Sequence, residues 1–449
     1  MGADSNQRNS FREISDLARL LRRDGWEAHQ QPGNGAMRIG LFGQFGSGNL
    51  GNDGSLEVAI GLLKRIRPDA ELVCICPGPA IVEATYGIPA VSIAERATEE
   101  RPCPPLARPF LNVVRRVRNL LRPLRQTRDL DAIVIPGTGI LDDFSESPFG
   151  WPYVILRWCL AARWNGVPVY FVSVGAGPIR HWLSKIFLTS AARIATFRSY
   201  RDRLSKDFMT SSEIDTSGDQ INCDLAFRLP APPAPIRSGS LPISVGVGLM
   251  TYAGWVKGAE AADTIYAVYV EKMRNVVSWL LDSGIQVRLL IGGVADGQAV
   301  RDVVKDLQVS TGNLVTTPIA SLQQLMAEIG QTDLVIATRY HNVVSALRMG
   351  RPTISLGYAK KNDELLWRTG LGEYCHDVET FDPEAIKHQV LEIFDRRQAL
   401  QPKIRHVVEG FCMALDEQAI LLCRLFASSS RAGEVPLSCP DHGQDCPSS

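Results

Sequence analysis

The chain alternates between short, nearly continuous apolar runs and longer segments that carry apolar residues at helical spacing. In the first half the apolar runs lie at Met37 to Phe42, Glu71 to Cys76, Asp131 to Ile135 and Val167 to Val174. Helical patterns such as Leu56 to Ile66 and Tyr153 to Trp164 lie between them. Strands rich in Val and Ile that alternate with helices predict a parallel sheet covered by helices.

The same pattern restarts after the proline-rich stretch Pro230 to Pro242, which we interpret as an interdomain linker. The later apolar runs lie at Ile243 to Val247, Val287 to Ile291, Asp333 to Ala337 and Thr353 to Leu356. The predicted fold class is therefore α/β, with two doubly wound Rossmann-like domains that face a cleft. Ligands bind such folds at the carboxyl ends of the strands.

These patterns predict four segments. We expect a flexible N-terminal segment at 1–36, an N-terminal Rossmann-like domain at 37–235, a C-terminal Rossmann-like domain with terminal helices at 240–427, and a disordered tail at 428–449. The tail contains Cys439, His442 and Cys446, which could ligate a metal. Because a fourth ligand is not nearby and the tail is rich in Pro, Ser and Gly, we favour disorder and expect no metal site.

Composition narrows the function classes. The 449 residues include 48 basic and 48 acidic residues, so no net charge attracts a polyanion and we expect no nucleic-acid partner. The first 30 residues contain no apolar signal core, and the apolar stretch Tyr153 to Ala162 is interrupted by Arg157, so we expect neither a signal peptide nor a membrane span. Cysteines within apolar runs, such as Cys74 and Cys159, predict reduced thiols and a cytoplasmic location.

Two glycine-rich loops follow predicted strands. Gly46, Gly48 and Gly51, with Asn49 between them, form a G-x-G-x-x-G pattern before the first helix. The acidic residue that would hold a ribose is missing after the second strand, so we favour a non-dinucleotide anion or a sugar as the ligand; the alternative is a turn whose glycines allow close packing. The second loop follows the run Asp131 to Ile135, and we expect it to contact the ligand, the alternative being a tight turn with solvated acids. Its candidate residues are Gly137, Thr138, Gly139 and Asp142.

Candidate cations and a candidate proton-transfer residue follow other strands. Arg339 and His341 come directly after the run Asp333 to Ala337, which places an anion-binding guanidinium beside an imidazole that can transfer protons. Arg201 is our preferred further anion ligand, whereas Arg198 and Arg203 could equally be charges on an exposed helix face. Lys360 and Lys361 follow the run Thr353 to Leu356, and one of them is expected to face a negatively charged substrate group.

The segment Pro109 to Arg128 is basic and amphipathic. Apolar residues recur at helical spacing from Phe110 to Leu124, and Arg115, Arg118, Arg122 and Arg125 oppose them. Such a helix either rests on an anionic membrane surface or packs on its own domain with a solvated arginine face. The first alternative predicts peripheral contact with the cytoplasmic face of the inner membrane.

Taken in order, these motifs resemble the polysaccharide pyruvyl transferase family over roughly Arg38 to Leu371. The resemblance lies in the loop Gly46 to Gly54, the loop Gly137 to Asp142, Arg201-Asp202 with Ser205, Asp224, the Arg339-Tyr-His341 segment, and Tyr358 with Lys361. The sequence differs from the family pattern at Asn52, Thr138 and Asn342.

The resemblance implies a GT-B-like fold and a transferase that uses phosphoenolpyruvate as donor, without a cofactor, to build a pyruvate ketal on a sugar. It implies that His341, Arg339 and Arg201 are catalytic. It also implies substrate binding by Asp53, Asp202, Ser205 and Lys361 in addition to the two loops. The expected acceptor is a sugar or lipid-linked oligosaccharide of an exopolysaccharide or cell-surface glycan precursor.

Two other functions fit the same sequence. A GT-B glycosyltransferase with a nucleotide-sugar donor would have an indistinguishable pattern of strands and helices. A non-catalytic glycan-binding or assembly protein could keep the fold without the activity. Release of phosphate from phosphoenolpyruvate would distinguish the pyruvyl transferase from both, and release of a nucleoside diphosphate would identify the glycosyltransferase.

Overall fold

The computed structural model describes residues 36–94, 108–144, 146–233, 243–254, 259–305, 307 and 312–429, without the side chains of 108–117, 259 and 428–429. The predicted segment 1–36 therefore lies outside the described residues except at its last residue. Most of the tail assigned to 428–449, including Cys439, His442 and Cys446, also lies outside them. The same holds for 234–242 of the interpreted linker.

The first lobe is built on a parallel sheet in the order β3-β2-β1-β4-β5-β6-β7. Its strands are β1 (Arg38–Phe42), β2 (Glu71–Cys76), β3 (Ala90–Ser92), β4 (Ala132–Pro136), β5 (Val169–Val174), β6 (Phe197–Tyr200) and β7 (Gln220–Ile221). Its helices are α1 (Leu50–Ile66), α2 (Pro79–Tyr86), α3 (Arg108–Thr127), α4 (Trp151–Trp164), α5 (Trp182–Ile194) and α6 (Arg203–Ser211). The strand order reverses between β1 and β4, and crevices at such points bind ligands.

The second lobe repeats this plan with the order β10-β9-β8-β11-β12-β13. Its strands are β8 (Ser244–Leu249), β9 (Gln286–Ile291), β10 (Leu314–Thr316), β11 (Leu334–Ala337), β12 (Thr353–Gly357) and β13 (Cys375–Asp377). Its helices are α7 (Ala259–Asp282), α8 (Gly297–Val304), α9 (Leu322–Gly330), α10 (Tyr340–Arg348), α11 (Lys360–Arg368) and α12 (Pro383–Ser429). The prediction of two doubly wound parallel sheets is confirmed.

Alternation along the strands of the first lobe supplies both faces of the sheet with core residues. In β4, Ala132 and Val134 join the core beneath α1, whereas Ile133 and Ile135 join the core beneath α4 and α5. Helices α1 and α2 therefore cover one face of this sheet, and α4 and α5 cover the other. Helix α3 packs beside α4, where Asn165 donates hydrogen bonds to Leu124 O and Thr127 Oγ1 at 2.8 Å.

The eight predicted strands coincide with β1, β2, β4, β5, β8, β9, β11 and β12 to within two residues. The prediction missed the short strands β3, β7, β10 and β13 because two or three residues carry no periodicity. It also missed β6, whose Arg198 side chain is half-buried and paired with Asp219 at 2.8 Å. Of the two arginines that the alternative placed on an exposed helix face, Arg203 lies in α6 with its side chain 76% exposed, whereas Arg198 lies in β6. Arg201 follows β6 and is buried.

Helix α12 contacts both lobes. It begins after β13 of the second lobe, and its last turns reach the first sheet, where Phe426 lies against Tyr170 with ring centroids 5.0 Å apart. Gln418 is buried among two serines of the first sheet: Ser173 Oγ donates to its Oε1 at 3.0 Å, and its Nε2 donates to Ser199 Oγ at 2.6 Å. The predicted terminal helix thus stabilises both lobes.

Replacing Gln418 by leucine should destabilise the protein, because Ser173 and Ser199 would lose a buried hydrogen-bond partner. We expect a loss of about 1–3 kcal/mol in the free energy of unfolding, measured by urea denaturation. The neighbouring exposed residue Glu417 supplies the control, since Glu417→Leu should change stability by no more than about 0.5 kcal/mol. Equal effects of the two substitutions would contradict the role given to Gln418.

Candidate functional site

A cavity of about 860 Å³, measured with its open mouth, lies where loops from the carboxyl ends of both sheets meet. It is lined by Gln44, Asn49, Asn52, Thr138, Gly139, Ile140, Asp142, Phe144, Glu146, Trp151, Arg201, Gly292, Arg339, Tyr340, His341, Tyr358 and Lys361. Polar and charged side chains from both lobes dominate this lining. The cavity is therefore suited to a polar, negatively charged ligand.

Arg201 is the most buried of these cations, with 4% of its surface exposed. It leaves β6 and pairs through Nη1 with Asp224 Oδ2 at 3.2 Å and through Nε with Asp202 Oδ2 at 3.4 Å. Its guanidinium also stacks over the ring of Tyr340 at 4.3 Å. Gly175 directly follows β5, and a Cβ there would lie 2.7 Å from this guanidinium. Only glycine therefore allows the backbone to approach Arg201 so closely. These contacts fix the orientation of the guanidinium at the cavity wall.

Asp224 connects Arg201 to the second lobe. Its Oδ1 accepts a hydrogen bond from Ala226 N at 3.0 Å, and its Oδ2 lies 3.6 Å from His341 Nε2 as well as near Arg201. Burial acts to raise the pKa of Asp224, but His341 and Arg201 outweigh it and hold that pKa well below its usual value. Asp224 is therefore ionised and faces both a guanidinium and an imidazole.

His341 lies in the first turn of α10, just after β11. Its Nε2 is buried beside Asp224. The ring packs against the start of α1 in the first lobe, since a Cβ at Gly51 would lie 1.9 Å from its Nδ1. Gly51 thus allows the imidazole to sit against the helix backbone.

Arg339 is held by a carboxylate that sequence analysis did not identify. Its Nε and Nη2 donate to the two oxygens of Asp296 at 3.0 and 2.7 Å. Asp296 is fully buried and also accepts hydrogen bonds from the backbone N–H groups of Thr251 and Gly292. The bidentate pair fixes Arg339, whose side chain keeps 23% of its surface exposed. Asp296 lies five residues beyond β9, so its position after a strand was the signal available in the sequence.

Lys361 and Asp142 face each other across the cavity from different lobes. Lys361 Nζ lies 5.3 Å from the ring centroid of Tyr358 and 5.9 Å from that of Tyr340. Burial raises the pKa of Asp142, and the nearby Lys361 and the N–H of Phe144 offset only part of this effect. Phe144 stacks on Tyr358 with centroids 5.3 Å apart, which closes one side of the cavity.

The loop that carries Asp142 adopts an unusual backbone. Gly137 has φ of 55°, and Thr138 has φ of 65°, a conformation that a β-branched residue rarely adopts. A Cβ at Gly137 would lie 2.7 Å from Ser55 Oγ, so α1 also requires a glycine there. Thr138 itself lines the cavity. Strained backbone of this kind is often found at functional sites.

The loop Gly46 to Gly51 differs from the predicted anion cradle. Its N–H groups bond within the protein: Gly46 N donates to Asp53 Oδ1 at 2.8 Å, and Gly51 and Asn52 donate to the side chain of Asn49. Leu50 N donates to Gly292 O, and Gly48 O accepts from Val294 N, which joins the two lobes. The structure agrees with the alternative, a turn whose glycines allow close packing. At Gly46, for example, a Cβ would lie 2.4 Å from Gly78 O.

The structure brings together at the cavity eight of the residues predicted from sequence: Asn49, Thr138, Gly139, Asp142, Arg201, Arg339, His341 and Lys361. The other predicted residues, Gly46, Gly48, Gly51, Asp53, Gly137, Asp202 and Ser205, do not line it. Asp202 instead caps α6 by accepting from Ser205 N at 2.6 Å, and Ser205 Oγ accepts from Ala176 N. These residues shape the loops around the site.

Two residues named in the family resemblance, Asp224 and Tyr358, received no individual role from the sequence. Among the described residues, no group of three or more His, Cys, Asp or Glu side chains is placed to hold a metal ion.

A sequence model described as polysaccharide pyruvyl transferase matches residues 49–360, which include seven of the eight predicted residues that line the cavity.

The chain belongs to the polysaccharide pyruvyl transferase family. Lys361 follows the matched segment by one residue. No curated protein sequence matches the chain as a relative.

Solved structures show that this pyruvyl transferase family member has the fold of GT-B glycosyltransferases and epimerases. S. aureus MnaA, solved with UDP, superposes with a TM-score of 0.58 at 10% identity, covering 89% of this chain and 99% of its own. UDP-GlcNAc 2-epimerase from Neisseria meningitidis, bound to UDP-GlcNAc, gives 0.53 at 9% identity over 86% and 100%. A glycosyltransferase from Rickettsia africae gives 0.54 at 12% identity over 89% and 100%.

Replacing Asp142 by asparagine should make the protein more stable at pH 7. Because the pKa of Asp142 is raised, its ionised form is disfavoured in the folded state and destabilises the wild type above that pKa. The neutral amide of asparagine removes this destabilisation. The difference should shrink as the pH falls and vanish below about pH 4, where the carboxyl is protonated in both states. Thermal unfolding between pH 3.5 and 7 measures this.

Asp143 provides the matched control, because its two oxygens accept hydrogen bonds from Arg180 N and His181 N at 2.9 Å. Asp143→Asn loses one acceptor and should be less stable than the wild type at pH 7. An Asp142→Asn protein that is less stable than the wild type at pH 7 would contradict the burial of that carboxylate.

Proposed function

We propose that the protein transfers the pyruvyl group of phosphoenolpyruvate to two hydroxyls of a sugar in an exopolysaccharide or cell-surface glycan precursor, forming a cyclic ketal. The observation that carries this proposal is the convergence of Arg201, Arg339, Lys361 and His341 from both lobes on one cavity. Phosphoenolpyruvate has a carboxylate and a phosphate, and both match clustered cations. Family membership supports the same reaction class.

Arg201 and Arg339 are suited to hold the two acidic groups because each is already oriented by buried carboxylates. Pre-oriented guanidinium groups lose little conformational entropy when they bind an anion. Lys361 adds a compact charge near Tyr340, over whose ring Arg201 also lies, and the aromatic neighbours Tyr340 and Tyr358 limit its movement. The departing phosphate would be stabilised by the same cations.

The reaction adds a proton to the methylene carbon of the donor, and a sugar hydroxyl then attacks the neighbouring carbon and loses its proton. Phosphate leaves, and a second hydroxyl closes the ring on the same carbon while its proton passes to the departing phosphate. His341 is the group we assign to proton transfer, because its imidazole lines the cavity and its Nε2 lies 3.6 Å from the ionised Asp224. No redox step is needed in this scheme, and atoms balance with one phosphate released per ketal.

A nucleotide-sugar transferase is the second candidate, since S. aureus MnaA was solved with UDP and has the same fold. The two reactions release different products. Incubation with phosphoenolpyruvate and a panel of glycan precursors should release inorganic phosphate and raise the acceptor mass by one pyruvyl group. Release of a nucleoside diphosphate from a nucleotide sugar, with no phosphate from phosphoenolpyruvate, would establish the second candidate instead.

The cytoplasm is the location that we propose for this reaction. Buried free thiols such as Cys74, Cys159 and Cys223 are typical of a reducing compartment.

His341→Ala should lower turnover by about 100-fold or more without unfolding the protein, as expected when a general acid or base is lost. The measurement is phosphate release at saturating donor, with circular dichroism to verify the fold. Near-normal turnover in the folded variant would remove His341 from the proposed role.

Gly51→Ala should also lower turnover, by about 10- to 100-fold, because the added methyl displaces the imidazole of His341. Gly61 in the same helix supplies the control, since a Cβ there meets nothing within 4 Å. Gly61→Ala should leave turnover unchanged and stabilise the helix by about 0.5–1 kcal/mol. If Gly51→Ala keeps wild-type turnover, the imidazole does not act from its observed position.

A further inference from the structure

One face of the first lobe has a charge distribution unlike that of the whole chain. Helices α3, α4 and α5 contain ten Lys or Arg residues and no Asp or Glu, although the chain has 48 basic and 48 acidic residues. These helices form one layer on the side of the first sheet opposite α1 and α2. We call the outward surface of this layer the basic helical face.

Large apolar side chains are exposed on the same face. Trp164 is 78% exposed and Phe149, just before α4, is 70% exposed; Trp182 at the start of α5 and Leu120 in α3 are also more than half exposed. Leu120 and Leu121 were expected on the apolar side of α3, opposite its arginines, yet both are exposed. Arg118 and Arg125 are exposed in the same helix, whereas Arg122 is half-buried and the side chain of Arg115 lies outside the described residues.

The face is continuous across the three helices. Asn165, next to Trp164, hydrogen-bonds to the last turns of α3. At the other end of α4, the ring of Phe149 lies 6.1 Å from Tyr153 and 6.0 Å from Phe187 of α5. Exposed aromatic and leucine side chains on helices that contain cations and no acidic residues are typical of surfaces that lie at a membrane interface.

We propose that the basic helical face docks on the surface of an anionic lipid bilayer. Its arginines would lie at the headgroup phosphates, and Trp164, Phe149 and Leu120 would enter the interface. A twofold contact between identical copies is disfavoured, since it would place cations against cations. No helix among the described residues has the length and hydropathy to cross a bilayer, so the contact is peripheral.

The face also leads to the cavity. Phe149 precedes α4, and Trp151 in the first turn of α4 lines the cavity together with Phe144 from the same loop. An acceptor anchored in the bilayer would therefore have its sugar near the site when this face is docked. The docking proposal itself does not depend on the reaction.

The test is co-sedimentation of the full chain with vesicles of phosphatidylcholine containing 30% phosphatidylglycerol, at low salt, with pure phosphatidylcholine vesicles for comparison. We expect binding to the anionic vesicles that fades as salt rises. Arg118→Gln with Arg125→Gln should weaken the binding by about 30-fold, roughly fivefold for each arginine. Trp164→Ser should weaken it by at least about fivefold.

Matched controls lie on the opposite side of the first lobe. Lys64 and Arg65 are exposed in α1, and Ile81 is exposed in α2. Lys64→Gln with Arg65→Gln removes the same charge, and Ile81→Ser removes an exposed apolar side chain; both variants should bind vesicles as the wild type does. Absence of wild-type binding at low salt, or equal losses in these controls, would overturn the proposal. So would sedimentation analysis showing a dimer that Trp164→Ser dissociates.

Discussion

The site depends on the burial of one carboxylate between two partners from different lobes. Asp224 is withdrawn from water beside Arg201 of the first lobe and His341 of the second. A buried carboxylate is costly unless its partners remain in place, and separating the lobes here would leave Asp224 with Arg201 but without His341. The same ionised group that orients the Arg201 guanidinium thus faces the imidazole of His341.

Backbone proximity makes this arrangement possible. The loop of Gly48 hydrogen-bonds to the segment after β9, and the helix that begins next to it presents Gly51 to the imidazole. Across the cavity, Glu364 of α11 accepts hydrogen bonds from Arg203 N and Leu204 N, the first N–H groups of α6. Two regions of contact therefore flank the site, and both use the ends of helices. Small residues and a helix-capping carboxylate bring the lobes close enough for cations from each to line one cavity.

The sequence allowed the central strands and many cavity residues to be predicted, because long parallel strands are continuous apolar runs and their carboxyl ends carry the ligand-binding loops. His341, Arg339 and Lys361 were found in this way. The partners of these residues were harder to predict. Asp296 follows β9 and Arg339 follows β11, and the two residues meet because both strands pair with β8. Similarly, a G-x-G-x-x-G pattern does not reveal whether its N–H groups face a ligand or another strand end. Helical spacing placed Leu120 and Leu121 on the apolar side of α3, but it could not show that both remain exposed, because spacing identifies an apolar side and not what covers it.

The central claim is that buried, pre-oriented guanidinium groups bind the acidic groups of phosphoenolpyruvate. Calorimetric titration of this donor into the wild type, Arg201→Lys and Arg203→Lys tests it most directly. Arg203 is the control because its side chain is 76% exposed and paired only with Asp207 in its own helix. The account predicts one donor bound per chain, an affinity at least about tenfold weaker in Arg201→Lys because lysine lacks the planar fork, and no change in Arg203→Lys. Wild-type affinity in Arg201→Lys would contradict it.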